Sequence, residues 1–142
     1  FFPPAAPAPL TFPFPKVPLP PVVVLYGYAG DDGCLVRAAL REGVKGIVYA
    51  GAGMGSLPAP VARELRAALA KGVAVVLSSR LPEGFVPAES ADTDEEETGD
   101  APFVASGALS PLKARILLQC ALAQETPAAR LPQLFRQAAH RS

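Results

Sequence analysis

From residue 22 onward the chain alternates short apolar runs with longer stretches in which apolar residues recur at helical spacing. Val22-Val-Val-Leu-Tyr26 is a continuous β-branched and apolar run, the pattern of a strand buried on both faces. Asp31 and Asp32 can cap a helix that begins near Gly33 and runs to about Glu42, with Gly43 at its C′ position. Gly46-Ile-Val-Tyr49 predicts a second strand. A glycine-rich turn follows, and Val61, Leu65, Ala68 and Leu69, spaced i, i+4, i+7, i+8, predict a helix over 58–71 that Gly72 stops. Val73-Ala-Val-Val-Leu77 predicts a third strand. Residues 78–102 show little periodicity and read as a long polar loop, and Phe103-Val-Ala105 as a fourth, short strand. Ser110 followed by Pro111 is an N-cap and N1 signal for a helix to about Gln124. Ile116, Leu117, Leu118, Cys120, Ala121 and Leu122 leave that helix little polar face, so it is expected to be deeply packed. Thr126-Pro127 repeats the signal and opens a last helix, whose first turns Pro132 should kink or shorten.

Strands alternating with helices predict an α/β fold: a small three-layer, flavodoxin-like domain with a four-stranded parallel sheet and helices on both faces. Before it, residues 1–21 hold nine of the 17 prolines and should be extended. They read as an interdomain linker, or alternatively as a Pro-rich ligand for a small adaptor domain. Phe2, Phe12 and Phe14 are unusual in a free linker and point to packing on a neighbouring surface. The expected organisation is a Pro-rich linker over 1–21 and one α/β domain over 22–142.

Composition adds limits. The 142 residues, half of them hydrophobic and 18% charged, suit one globular core. Zero formal net charge offers no basic field to nucleic acid, and no apolar run approaches the roughly 20 residues that span a bilayer. Seven of the 13 acidic residues lie between Glu89 and Asp100, so an acidic loop sits on a mildly basic body. Cys34 and Cys120 are far apart and outside any Cys-x-x-Cys motif; two free buried thiols are expected, with a bridge left open. Residue 1 is Phe, the only methionine is Met54 and no leader pattern is visible, so the chain reads as a piece whose beginning is missing.

Sites in open parallel sheets form at the carboxyl ends of the strands. Three loops leave such ends here, 27–32, 50–57 and 78–102. Ala50-Gly-Ala-Gly-Met-Gly-Ser56 has two readings: a phosphate cradle for a dinucleotide, or a glycine turn with Ser56 capping the next helix. Gly51 and Gly53 fit the dinucleotide pattern, but Ser56 stands at its third glycine. The run Glu89–Asp100 can be a solvated face, a cation site without calcium-loop spacing, or the source of a carboxylate for a ligand ammonium group. No conventional catalytic set is present. His140 is the only histidine and lies in the tail, Ser78 and Ser79 lack a nucleophile elbow, and zinc ligands at usable spacing are missing.

Five ordered stretches carry a family resemblance: Val22-Val-Val-Leu-Tyr-Gly-Tyr28, Gly43-Val-Lys-Gly-Ile-Val-Tyr-Ala-Gly51, Gly53-Met-Gly-Ser56, Ser78-Ser-Arg80 and, most specific, the block from Phe103 to Leu122. Together they resemble the smaller C-terminal domain, with its linker, of bacterial type II-like L-asparaginases and glutaminase-asparaginases. The resemblance implies an amidohydrolase that converts L-asparagine and water to L-aspartate and ammonia without a cofactor or metal. It implies catalytic threonines in a separate N-terminal domain and none in this chain, so the isolated chain is expected to be inactive. It implies partners as well: L-asparagine or L-glutamine as substrate, and the N-terminal domains of its own and neighbouring subunits in a homotetramer, with no nucleic acid and no membrane. Export to the periplasm or medium is typical of type II members, with a cytoplasmic location as the alternative.

The family places two groups of this domain in a neighbouring subunit's site. The first, Asn in many members and Ser in others, falls on Ser56, and members with Ser are often more tolerant of glutamine. The second is a Glu that takes the substrate α-ammonium group. The loop is longer here, so counting from Pro82 reaches Ala91 and counting back from Phe103 reaches Glu95. Glu95 is favoured, then Glu96, with Glu89 outside them. The rival from another class is a non-catalytic, flavodoxin-like ligand-binding or interaction module.

Overall fold

The computed structural model describes residues 8–15, 18–90 and 103–139. Its sheet contains β1 (Val22–Tyr26), β2 (Gly46–Gly51), β3 (Ala74–Ser79) and β4 (Val104–Ala105), parallel throughout and ordered β1-β2-β3-β4. Val22 pairs with Gly46, Gly46 with Ala74, and Val76 with Val104. The strand ends that carry the loops after β1, β2 and β3 therefore lie side by side.

Two helices, α1 (Cys34–Arg41) and α2 (Ala59–Ala70), cover one face. Val36, Val61, Leu65 and Ala68 pack there on Ile47, Tyr49, Val75 and Leu77. The other face is covered by α3 (Pro111–Ala123) and α4 (Leu131–Ala139), where Ala114, Leu118, Ala121, Leu131 and Phe135 meet Val22, Val48, Val76 and Val104. Successive residues of β2 and β3 alternate between the two cores, as the strand period of two requires. The result is the expected three-layer α/β architecture.

Local signals explain most boundaries. The stripe Val61, Leu65, Ala68 and Leu69 is the buried face of α2. Ser110 caps α3, its hydroxyl oxygen accepting the Lys113 amide at 3.3 Å, with Pro111 as the first helical residue. Asp31 and Asp32 act one step earlier than a direct cap. Their carboxylates accept the Gly33 and Cys34 amides, each at 2.9 Å, and Gly33 itself is the N-cap of α1.

Five expectations are corrected or narrowed. First, β1 is an edge strand among the described residues, which place only β2 beside it: Val22 is buried, Val23 to Leu25 are half-buried and Tyr26 is exposed. Second, α3 is not packed all round. Leu112 and Ile116, one turn apart, are 64% and 58% exposed. Third, of the two outcomes expected at Pro132, the last helix is shortened and not kinked. A 3-10 turn over Ala128–Arg130 follows Pro127, and α4 starts at Leu131, so Pro132 occupies its first turn, where an amide would lack a helical partner anyway. Fourth, the stretch after β3 is not wholly polar loop: Val86 is fully buried and pairs with Gly107 in a single antiparallel bridge. Fifth, both cysteines are free, but Cys34 is exposed and Cys120 half-buried. In the Pro-rich segment Phe14 is 95% exposed and Phe12 half-buried, while Phe2 lies outside the described residues.

Candidate functional site

The loops at the carboxyl ends of β1, β2 and β3 are tied to one another by polar contacts. Arg80, just after β3, donates from Nη1 to the Gly27 carbonyl at 2.8 Å, and its amide donates to the Gly51 carbonyl at 2.9 Å. The Ser79 hydroxyl donates to the Gly53 carbonyl at 2.5 Å and accepts the Leu81 amide at 3.2 Å. The glycine loop also closes on itself, since the Gly55 and Ser56 amides both donate to the Ala52 carbonyl, at 3.0 and 2.9 Å.

Ser56 stands at the end of this turn, exposed, on the wall of an open cleft of about 670 Å³. Leu77 of β3, Arg66 of α2 and Ser90 line the same cleft. Ser56 does not cap α2; Pro58 occupies the N-cap position, without a side-chain hydrogen bond. The capping half of the glycine-turn reading is thus corrected: two residues separate Ser56 from the helix.

Glu95 and Glu96 lie outside the described residues, as does Ala91. Ser90, the last described residue before them, is on the cleft that Ser56 lines. Glu89 is exposed in a 3-10 turn over Ala88–Ser90 and lines a different cleft, of about 430 Å³, with Phe85, Phe135 and Arg136. Ser78 and Ser79 are buried and occupied: Ser78 donates to the Leu109 carbonyl at 3.5 Å, and Ser79 is the bridge described above.

Behind the loop after β1 lies a polar cluster that spacing did not reveal. Tyr49, 1% exposed, donates its hydroxyl to Asp31 Oδ2 at 2.8 Å. Burial, then the bond to Asp31, raises the Tyr49 hydroxyl well above its ordinary pKa. The Tyr28 hydroxyl lies 3.7 Å from the Cys34 Sγ, and that contact raises its pKa as well. These side chains hold the loop after β1 and leave Tyr26 and Tyr28 half exposed at the same end of the sheet.

Residues 21–135 match the sequence profile of the glutaminase/asparaginase C-terminal domain. The chain belongs to that family. It is 42% identical over 119 residues to L-asparaginase 2 of Escherichia coli K12, an alignment covering 84% of this chain and 33% of the relative. It is 31% identical over 117 residues to the glutaminase-asparaginase of Pseudomonas fluorescens biotype A, covering 82% of this chain and 32% of the relative. The fold superposes on the crystal structure of a probable cytoplasmic L-asparaginase from Campylobacter jejuni with a TM-score of 0.73 and 37% identity, covering 84% of this chain and 37% of that one. A relative from Haemophilus influenzae, 42% identical over 106 residues that cover 75% of this chain and 29% of the relative, is named a probable periplasmic L-asparaginase. Asparaginase relatives thus include both periplasmic and cytoplasmic proteins. Among the described residues no helix is long and apolar enough to cross a membrane. The chain spans about a third of the length of the curated relatives it matches.

Proposed function

We propose that this chain is the C-terminal domain of an L-asparaginase or glutaminase-asparaginase, with residues 1–21 as the linker to an N-terminal domain that carries the catalytic threonines. In this reading residues 22–142 supply no nucleophile. They complete a neighbouring subunit's substrate site and help to build a homotetramer. Family membership across most of the chain supports the assignment. The observation that carries it is the position of Ser56. A small hydroxyl, not used as a helix cap, lies at the carboxyl end of β2 on a cleft that Ser90 also lines.

Glu95, or Glu96 beside it, takes the α-ammonium group of L-asparagine or L-glutamine. A carboxylate does this well once assembly excludes water, because the charge-assisted bond strengthens as its surroundings lose polarity. The Ser56 hydroxyl hydrogen-bonds a polar group of the substrate or of the threonine machinery. The protein acts in the periplasm or medium, with the cytoplasm as the alternative.

The test is steady-state kinetics on the full-length protein. Ser56→Ala and Glu95→Gln are expected to raise KM or lower kcat/KM for L-asparagine about tenfold, the scale of one lost hydrogen bond to a charged group, with unchanged melting. Glu96→Gln is expected to do so only if it, and not Glu95, is the ammonium partner. Normal kinetics for all three removes the site. Amidase turnover by the rigorously purified chain alone defeats the division of labour. Tight binding of a flavin or nucleotide by that chain favours the non-catalytic module instead.

A further inference from the structure

We propose that Ser79 is a positioning residue for Ser56, acting through the carbonyl of Gly53. The inference rests on Ser56 facing substrate, as set out above, and adds what holds it there.

Burial fixes only part of the glycine loop: Gly51 and Gly55 are buried, Gly55 close to Val86, but the outer residues are not held this way. Gly53 and Ser56 are exposed, and Met54 at its tip is 66% exposed. The internal bonds to the Ala52 carbonyl set the shape of the turn but not its place over the sheet. Its place is set from the end of β3. The Arg80 amide holds the Gly51 carbonyl at the base of the loop, and the Ser79 hydroxyl holds the Gly53 carbonyl two residues further out. Ser79 can do this because it is itself immobilised. It is 4% exposed, its oxygen is fixed by the Leu81 amide, and Gly84 lies against it so closely that a Cβ there would overlap its Cβ and Oγ. One buried hydroxyl therefore ties the exposed outer part of the loop after β2 to the loop after β3, beyond what the Gly51 bond and the buried Gly55 hold. These are the two chain segments that line the cleft at Ser56 and Ser90.

Two readouts test this. Amide hydrogen exchange on the chain reports the latch directly. Ser79→Ala is expected to speed exchange at Gly55 and Ser56 about tenfold or more, while amides of α3 and β1 keep their wild-type rates. Steady-state kinetics on the full-length protein report its purpose. Ser79→Ala is expected to raise KM for L-asparagine about three- to tenfold, the scale of one neutral hydrogen bond, and to add nothing in a Ser56→Ala background. Gly84→Ala, which pushes the Ser79 side chain off its partner, should reproduce both effects. Unchanged loop exchange in both variants overturns the inference. So does a uniform rise in exchange across the domain, or a Ser79→Ala effect that simply adds to that of Ser56→Ala, since either marks a general structural role. A silent Ser56→Ala defeats the site reading instead, and is told apart because loop exchange still responds to Ser79→Ala.

Discussion

Tyr49 and Asp31 form a buried pair in which the tyrosine hydroxyl donates to one carboxylate oxygen at 2.8 Å while the other oxygen accepts the Gly33 amide at 2.9 Å. One oxygen is thus engaged locally, two residues along the chain, and the other by a residue 18 positions away. The loop after β1 is thereby fastened to the middle of β2. Tyr49→Phe removes one donor and leaves a buried carboxylate oxygen bare, an expected loss of about 1–3 kcal/mol. Urea denaturation should show a lower midpoint with an unchanged slope. The raised pKa of Tyr49 also sets a sign. Its contribution is complete below the ordinary value of 10.0 and falls away as pH rises beyond it, because the unfolded chain then releases the proton first. Wild type should therefore lose stability above pH 10.0 more steeply than Tyr49→Phe. Parallel alkaline titrations would contradict the pairing.

Asp32 gives the opposite sign at the acidic end. Bonds from Cys34, its amide first, and then the Arg37 guanidinium at 3.3 Å lower its pKa below the ordinary 3.8. The stability it contributes is present above 3.8 and is lost as pH falls through the lowered value. Asp32→Asn keeps an oxygen for the Cys34 amide but no charge, so its melting temperature should depend less on pH than wild type's as pH falls below 3.8. Because the group is exposed the difference should be small and shrink with salt. Superimposable melting profiles would remove the charge contribution.

How far the sequence could be read follows from the range of each interaction. The α2 stripe and the cap at Ser110 depend on neighbours within one or two turns, so residue spacing reported them faithfully. The exposure of Leu112 and Ile116 was hidden, because an apolar residue looks the same in sequence whether or not a neighbour covers it. The edge position of β1 was hidden for the same reason, since strand order is not encoded in any single run. Pro132 rightly announced a shortened helix, but whether it also kinks one depends on where the helix begins. A 3-10 turn moved that start by a few residues, from a disruptive place to a tolerated one. Of the candidate site, Ser56 was legible through family motifs and the geometry gives it a cleft. Glu95 and Glu96 fall outside the described residues. The Tyr49–Asp31 pair and the Ser79 latch join residues 18 and 26 positions apart through a side chain, and no local spacing announces such a contact.

The Ser110 cap offers a clean measure of one local signal. Its oxygen accepts the Lys113 amide at 3.3 Å, with Ser110 in extended backbone (φ −62°, ψ 158°). Ser110→Ala should cost about 1 kcal/mol, and Ser110→Asp should recover most of it, because aspartate caps as well and adds a charge at the positive end of the helix. Equal midpoints for Ser110→Ala and wild type would mean that α3 is held by Pro111, Ala114, Leu118 and Ala121 alone, the residues it buries.

Two glycines in one loop separate backbone strain from crowding. Gly30 and Gly33 share the same left-handed φ of 81°. A Cβ on Gly30 would meet nothing within 4 Å, whereas one on Gly33 would lie 2.6 Å from Cγ of Glu64, on the stem of the side chain that pairs with Arg37 at 3.2 Å. Gly30→Ala should therefore cost only the conformational share, about 1–2 kcal/mol. Gly33→Ala should cost that share plus the displacement of Glu64 and its ion pair. Adding Glu64→Ala to Gly33→Ala removes the obstacle and should bring the double variant back towards Gly30→Ala, in spite of the lost pair, because a partly exposed ion pair contributes little. Denaturation midpoints of the four proteins decide the matter. Equal losses for Gly30→Ala and Gly33→Ala would mean that α1 and α2 can move apart at no cost, and the contact at Glu64 would then play no part in fixing the loop after β1.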